Sequence, residues 1–283
     1  MTSVTKSSGA RAASAEGSRR AANYRGRHSR PRPTVFGQWL ALSGRNLHTM
    51  WVYGQFFIAV LAPLIFTIGF YLPLKLVMRL TAGIDYAQFV MPIIVLQAMA
   101  FTAVSAAHRA ATEASNGMNA RFQTMPIAAA VPLASRMTAC FTHSALSLAC
   151  AIGYGHVIGF RFQAGVGLTI AFCAMAMLIG FTLTAGADAL GTLTKSPTVT
   201  SQALTIPQLI LGMFSSGFVP VSNFPEWAQG FVRNQPISQF ATSLRGMTDG
   251  TITMTELMPS FLWCGGLALV FIPLSIWANV RRG

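Results

Sequence analysis

Charged residues are scarce in this sequence. Only 10% of its 283 residues are Asp, Glu, Lys or Arg, whereas 53% are hydrophobic. A soluble domain carries about 25% charged residues, so the composition excludes an ordinary soluble domain. Because the apolar residues collect in several long runs, the sequence indicates an all-α polytopic membrane protein.

The side-chain patterns that signal catalysis or metal binding are also missing. The four cysteines lie within apolar runs, with no C-x-x-C pair and no Cys/His cluster of zinc spacing, which favours small buried hydrophobic side chains. The sequence has no Ser/His/Asp arrangement and no paired carboxylates. We therefore expect neither catalysis nor a bound metal or other cofactor in this chain.

A P-loop for ATP is absent as well. The nearest match runs from Gly186 to Gly191, and Thr192 stands where the phosphate-binding Lys is required. We interpret these glycines as helix-packing positions, with Ala187 and Gly191 as a small-xxx-small pair.

The apolar runs predict six transmembrane helices. They cover approximately residues 51–73, 86–107, 131–153, 165–190, 201–219 and 257–280. Residues 1–33 are basic and lack a hydrophobic period, which predicts a disordered tail. Residues 34–50 predict an amphipathic helix along the cytoplasmic interface, with a simple extension of the first span as the alternative. Residues 51–283 are then one membrane domain.

The distribution of basic residues predicts the orientation. With the N-terminus inside, 15 of the 20 lysines and arginines fall on cytoplasmic segments. Both termini of this multi-pass plasma-membrane protein are therefore expected in the cytoplasm. The same bias accounts for much of the net charge of +13, so we expect no nucleic-acid partner, and we expect the tail to contact anionic lipids.

Two short helices are predicted before the last span. The first begins at Pro225 and carries Trp227 and Phe231 on one face; the second begins at Pro236 and ends at Arg245 and Gly246. Each is too short to cross a bilayer, which needs about 20 residues. We therefore predict extracellular re-entrant helices that lie at the outer surface or dip into it.

The loop between the second and third spans carries a small apolar ridge. Met118, Phe122 and Met125 follow each other at i, i+4 and i+7, and Arg121 flanks them. A short helix with such a ridge fits the groove of a partner protein. The alternative is an ordinary amphipathic loop helix.

The region of the two short helices resembles a known family. The order G-F-x-P, F-P-x-W, N-x-P and A-x-x-x-R is similar to the signature of the ABC-2 permeases of ABC transporters, the alternative being a generic loop between membrane helices. The resemblance implies extracellular gate helices with the residues Gly217, Phe218, Pro220, Pro225, Trp227, Phe231, Asn234, Pro236 and Arg245.

The cytoplasmic loop resembles the coupling helix with which these permeases contact their ATPase. The residues implied are Glu113, Gly117, Met118, Arg121, Phe122, Met125 and Pro126. The sequence departs from the family pattern after the glycine, where Asn119 and Ala120 replace the acid that is often present.

Three further segments, residues 121–126, 159–162 and 231–240, narrow the resemblance to the daunorubicin-resistance-type export permeases of actinobacteria. This resemblance extends from Trp39 to Arg282. It implies a permease subunit of an ATP-driven exporter for a hydrophobic substrate, such as a cell-envelope lipid or an anthracycline-like drug. A separate dimeric ABC ATPase would bind ATP and Mg²⁺, and a second permease, identical or homologous, would complete the assembly.

Two functions of other classes stay open at this point. Asp188 is the acid that lies within a predicted span, and an ion-gradient-driven carrier would need such a group as a relay. A single Asp is more often a hydrogen-bonded structural group. The other alternative is a membrane scaffold or immunity protein that does not transport.

Overall fold

The structure, a computed structural model, describes residues 34–76, 85–118, 121, 124, 127–128 and 130–281. These residues form helices joined by short connections, with no strand among them. The helices are α1 (Val35–Val52), α2 (Gln55–Phe66), α3 (Tyr86–Ser115), α4 (Ala130–Ile158), α5 (Gly165–Thr194), α6 (Pro197–Met213), α7 (Glu226–Asn234), α8 (Pro236–Asp249) and α9 (Met254–Arg281). The predicted disordered tail, residues 1–33, lies outside the described residues.

Four helical segments are long and apolar enough to cross a membrane. They are Gln55–Leu76, Tyr86–Ser115, Gly165–Thr194 and Met254–Asn279. The first of them continues α2 through a π-helical stretch, Thr67–Tyr71. These segments correspond to the first, second, fourth and sixth predicted spans, whereas the third and fifth, which correspond to α4 and α6, stay predictions.

The fifth predicted span ends earlier than expected. α6 stops at Met213 rather than near Val219, and its 17 residues measure about 25 Å. The chain turns here because the Ser215 hydroxyl donates to the carbonyl oxygen of Gly212 at 2.6 Å. A Cβ atom at Gly217 would lie 2.7 Å from Ile93, so only glycine allows the segment after the turn to pack this closely on α3.

Contacts between side chains fix the helix directions. α3 is antiparallel to α2, α4 and α6, and parallel to α5. The pairs that show this are Phe66–Phe101 and Gln55–Arg109 for α2, Thr102–Ser144 and Glu113–Arg136 for α4, Gln97–Gln208 and His108–Ser201 for α6, and Met99–Gly180 and Ala107–Gly191 for α5. α9 runs parallel to α5, with Phe271 at Gly186 and Asn279 at Asp188. The bundle therefore alternates in direction, and the α3–α4 loop (residues 116–129) and the α7–α8 pair belong to opposite ends.

α3 is the central helix of the core. Its buried side chains include Val90, Met91, Ile93, Ile94, Val95 and Met99. Its closest neighbour is α5, because small residues line their contact: Ala103, Ala107 and Ala187 are buried together. A Cβ atom at Gly191 would lie 2.2 Å from the carbonyl oxygen of Ala107. The predicted packing role of Ala187 and Gly191 is confirmed.

The contacts divide the chain into two units, Met1–Gln38 and Trp39–Gly283. Of the first unit the structure describes residues 34–38, where the backbone N–H of Gly37 donates to the Thr34 hydroxyl at 3.2 Å.

The second unit includes most of α1, which confirms a helix close to the predicted residues 34–50. Trp39 Nε1 donates to Thr138 Oγ1 at 3.1 Å, and Asn46 Nδ2 donates to Ser135 Oγ at 3.2 Å. The position of α1 along the membrane interface stays a prediction.

Candidate functional site

The two short helices before α9 are present. Pro225 precedes α7, and Pro236 is the first residue of α8. The predicted end of the second helix at Arg245 and Gly246 is wrong, because α8 continues to Asp249 and ends at Gly250 with φ of 76°. Left-handed backbone of this kind favours glycine, which makes Gly250 the natural helix terminus.

The two helices differ in which faces they bury. Trp227 and Phe231 lie on the outer face of α7, where they are 83% and 58% exposed. α8 does the opposite, since its apolar side chains Phe240, Ala241 and Leu244 are buried in the core. α7 therefore presents an aromatic surface while α8 anchors the pair to the bundle.

The G-F-x-P segment is buried beside the start of α3. The Phe218 ring lies 4.0 Å from the Phe70 ring, centroid to centroid. Tyr86 Oη donates to the carbonyl oxygen of Phe218 at 3.4 Å. Gly217 and Phe218 thus pack against the N-terminal part of α3 and the end of the first span. Pro220 follows where the chain turns toward α7.

Arg245 ties three parts of this end together. Its guanidinium lies 3.8 Å from the Phe89 ring centroid, and Nη2 donates to the carbonyl oxygen of Phe89 at 3.1 Å. The same nitrogen contacts the carbonyl oxygens of Ser216 and Gly217, each at 3.4 Å. Burial lowers the pKa of Arg245 to about 10, so the group remains charged at neutral pH.

Gln235, at the variable position of the N-x-P motif, makes more tertiary contacts than Asn234. Asn234 makes a local bond to the carbonyl oxygen of Gly230, whereas the amide of the buried Gln235 donates to the carbonyl oxygens of Leu211 and Phe214 at the end of α6. Gln235 also donates to Ser238 Oγ at 3.1 Å. It therefore supplies the missing partners of the α6 C-terminus, and no sequence signal pointed to it.

The structure describes four of the seven predicted coupling residues. α3 ends at Ser115, and Gly117 with φ of 68° begins the loop. Arg121 is exposed and Met118 is partly buried. Glu113 lies in the last turn of α3, where its carboxylate pairs with Arg136 at 3.3 Å. Phe122, Met125 and Pro126 lie outside the described residues.

Asp188 is buried, and one of its carboxylate oxygens accepts three hydrogen bonds. Its Oδ2 accepts from Arg136 Nη2 at 3.0 Å, and from Ser275 and Asn279 at 3.3 Å each. Arg136 lies near the start of α4, and no sequence pattern had paired it with Asp188. Among the described residues, no group of three His, Cys, Asp or Glu side chains is placed to hold a metal ion.

Comparison with known proteins decides the family. The profile of the ABC-2 family transporter proteins matches residues 81–277, which include the α3–α4 loop and both short helices. The chain belongs to the ABC-2 family. This ABC-2 permease is therefore the membrane-spanning part of an ABC exporter, and the resemblance drawn from the motifs is confirmed.

Three relatives of this ABC-2 permease carry drug-resistance names. It is 36% identical over 246 residues to the doxorubicin resistance permease DrrB of Mycobacterium tuberculosis, covering 81% of this chain and 84% of DrrB. It is 27% identical to the probable doxorubicin resistance permease DrrC of the same species, covering 83% and 86%. The daunorubicin resistance permease DrrB1 of Streptomyces coeruleorubidus is 28% identical, over 68% of each chain.

An apolar groove lies between α4, α5 and α9 of this ABC-2 permease. It has a volume of about 450 Å³ and is lined by side chains that include Met137, Phe181, Ile272 and Ile276. Ser275 and Asn279 border it and connect it to the buried Asp188. A groove of this composition suits a hydrophobic molecule.

Proposed function

We propose that this ABC-2 permease exports a hydrophobic molecule across the plasma membrane with energy from a separate ABC ATPase. The observation that carries the proposal is the placement of the α3–α4 loop and the α7–α8 pair at opposite ends of an alternating bundle. A protein that couples a motor on one side to release on the other needs this separation.

The proposed topology has six spans with both termini in the cytoplasm. α4, with 29 residues, is long enough to cross, and α6 would cross together with residues 214–220 that follow it. Arg109, Arg121 and Lys195 belong to the loop end of the bundle, which supports a cytoplasmic position for that end. α7 and α8 would then be extracellular, with Trp227 at the membrane–water interface, where tryptophan is favoured.

The ATPase would dock on the α3–α4 loop. Gly117 turns the chain out of α3, and the exposed Arg121 is available to a partner. An ATPase dimer would bind ATP and Mg²⁺, so this chain needs no cofactor of its own. The dimer calls for two permeases, either two copies of this chain or one copy with a homologue.

The proposed substrate is an anthracycline-like drug or a cell-envelope lipid. The names of the three relatives support the first, and the apolar groove between α4, α5 and α9 accommodates either. The groove contains no charged side chain among its described residues, which fits a molecule that enters from the lipid phase.

The structure supports the exporter better than the ion-driven carrier. A relay carboxylate must exchange its proton with water, yet Asp188 is buried and paired with Arg136. Its three hydrogen bonds favour a structural group.

Inverted membrane vesicles that contain the chain and its ATPase test the proposal. We expect doxorubicin to accumulate in them with ATP and Mg²⁺, and not with a non-hydrolysable ATP analogue. Accumulation driven by a proton gradient without ATP, and lost in Asp188→Asn, would establish the carrier instead. Absence of both transport and a co-purifying ATPase would favour the scaffold.

A further inference from the structure

The buried charges at the loop end of the bundle form one connected network. Arg136 Nη1 lies 3.3 Å from Glu113 Oε2, and Nη2 lies 3.0 Å from Asp188 Oδ2. The side chains of Arg136 and Asp188 are only 8% and 2% exposed. Because an unpaired charge is strongly disfavoured in such surroundings, the guanidinium depends on its carboxylate partners.

α9 completes the network. Asn279 Nδ2 and Ser275 Oγ both donate to Asp188 Oδ2 at 3.3 Å, and Asn279 Oδ1 accepts a bond from Arg136 Nη2. The Arg136 side chain on α4 is thus bonded to three other helices: to α3 through Glu113, to α5 through Asp188 and to α9 through Asn279.

The position of the network relates it to the α3–α4 loop. Glu113 lies in the last turn of α3, which ends at Ser115, and Arg136 lies in the second turn of α4, which begins at Ala130. The ion pair between them therefore closes the base of the loop. Any displacement of either loop end moves the guanidinium, and its directional, charge-assisted bonds pass the movement to Asp188 and Asn279.

The surroundings of the guanidinium leave one of its donors unused. A small cleft of about 40 Å³ adjoins Arg136 and is bordered by Asn46, Thr49 and Arg109. Arg136 Nε is buried and has no hydrogen-bond partner within the described part of the chain. Because this donor is unused, a small shift of the loop can give Arg136 a different set of acceptors, as a two-state coupling element requires.

We propose that Arg136 is a positioning residue that transmits movement of the α3–α4 loop to α5 and α9, which border the apolar groove together with α4. The inference rests on the proposed function, in which the ATPase moves that loop. It assigns to Glu113, Asp188 and Asn279 the role of linkage rather than of substrate or ATPase contact.

The linkage can be tested in the complex of the permease with its ATPase. The measured quantity is the amount of doxorubicin transported per ATP hydrolysed. The double variant Arg136→Gln with Asp188→Asn removes the two most buried charges and leaves the Glu113 carboxylate, which is 26% exposed and can be solvated. We expect it to bind the ATPase and hydrolyse ATP as the wild type does, while the transport-to-hydrolysis ratio falls at least tenfold. Arg109→Gln is the matched control: its guanidinium borders the same cleft but bonds to Gln55 and Cys140, and the ratio should be kept.

Two outcomes of this experiment overturn the inference. One is a ratio in the double variant within twofold of the wild type. The other is loss of ATPase binding by a double variant that keeps its thermal stability, which would make these residues part of the docking surface.

A second experiment uses the chain alone in lipid nanodiscs and is independent of export. Glu113→Gln weakens the network at α3, and we expect faster amide hydrogen exchange at residues 188–194 of α5 and 275–280 of α9, as well as near the substitution. A change confined to residues 110–138 would overturn the inference. If the wild-type complex showed no ATP-dependent transport, the proposed function would fail while this experiment still decided the linkage.

Discussion

Gly191 in α5 lies against the backbone of Ala107 in α3, so close that an added Cβ atom would stand 2.2 Å from the Ala107 carbonyl oxygen. A backbone atom in the middle of a helix cannot move aside as a side chain can. Gly191→Ala must therefore separate the two central helices. We expect a loss of about 1–3 kcal/mol in stability, measured as a lower thermal midpoint in detergent, with reduced transport.

Gly167, on the same helix, provides the control for Gly191. A Cβ atom there would meet no atom within 4 Å. Gly167→Ala should therefore leave the midpoint unchanged or raise it slightly, since alanine favours helix. Equal effects of the two substitutions would contradict the close packing of α3 and α5.

Gln235 is the second residue for which the structure gives a sharp expectation. Gln235→Ala leaves the carbonyl oxygens of Leu211 and Phe214 without their donor. Because these carbonyl oxygens lie at the buried C-terminus of α6, we expect the free energy of unfolding to fall by about 1–3 kcal/mol. The neighbouring Asn234→Ala removes only a local bond to Gly230 in an exposed turn and should cost much less. Thermal midpoints of both variants in detergent test the contrast, and a larger loss at Asn234 would refute it.

Arg245 should not tolerate lysine. Its planar guanidinium stacks on Phe89 and reaches three carbonyl oxygens at once, a geometry that an ammonium group does not reproduce. Charged hydrogen bonds contribute about 1.5–3 kcal/mol, so Arg245→Lys should lower the thermal midpoint clearly. Arg233→Lys, at an exposed position, is the control and should behave as the wild type. Intact stability of the Arg245 variant would show that its stacking and carbonyl contacts are dispensable.

The orientation of the bundle can be tested with single cysteines. In a variant without the native cysteines, Trp227→Cys should react with a membrane-impermeant maleimide added to whole cells. Arg121→Cys should react only after the cells are opened. Both positions are exposed in the structure, so reagent access depends on the side of the membrane rather than on burial. The opposite pattern would overturn the proposed topology and with it the docking of the ATPase.

The sequence predicted the starts of α7 and α8 accurately, but it placed the end of α8 too early. Pro225 and Pro236 mark helix starts because a missing N–H is harmless in the first turn. Gly246 was taken for a terminus, yet α8 runs through it, because the residue is buried against Ile252 rather than turned into left-handed backbone. The burial of Gly246 depends on residues that follow it, and local patterns do not contain that information.

The predicted coupling residue Glu113 illustrates the same limit. Its contact with the ATPase stays a prediction, and the family-like pattern gave no indication that its carboxylate pairs with Arg136. Both residues looked like ordinary cytoplasmic charges in the sequence, where the positive-inside rule uses only the sign and the side. Pairing requires that the end of α3 and the start of α4 lie side by side, which only packing reveals.

The sequence alone determined that this protein is a helical membrane permease of the ABC-2 family, because low charge, long apolar runs and an ordered set of Gly, Pro and Trp positions are properties of the chain itself. Only the tertiary structure decided which polar groups the bundle encloses. Asn279 and Asp188 are 91 residues apart, and Gln88 and Asp249 are 161 apart, yet both pairs are hydrogen-bonded. Such contacts arise when alternating helices fold back on one another, so their energy depends on topology and not on neighbours in the chain.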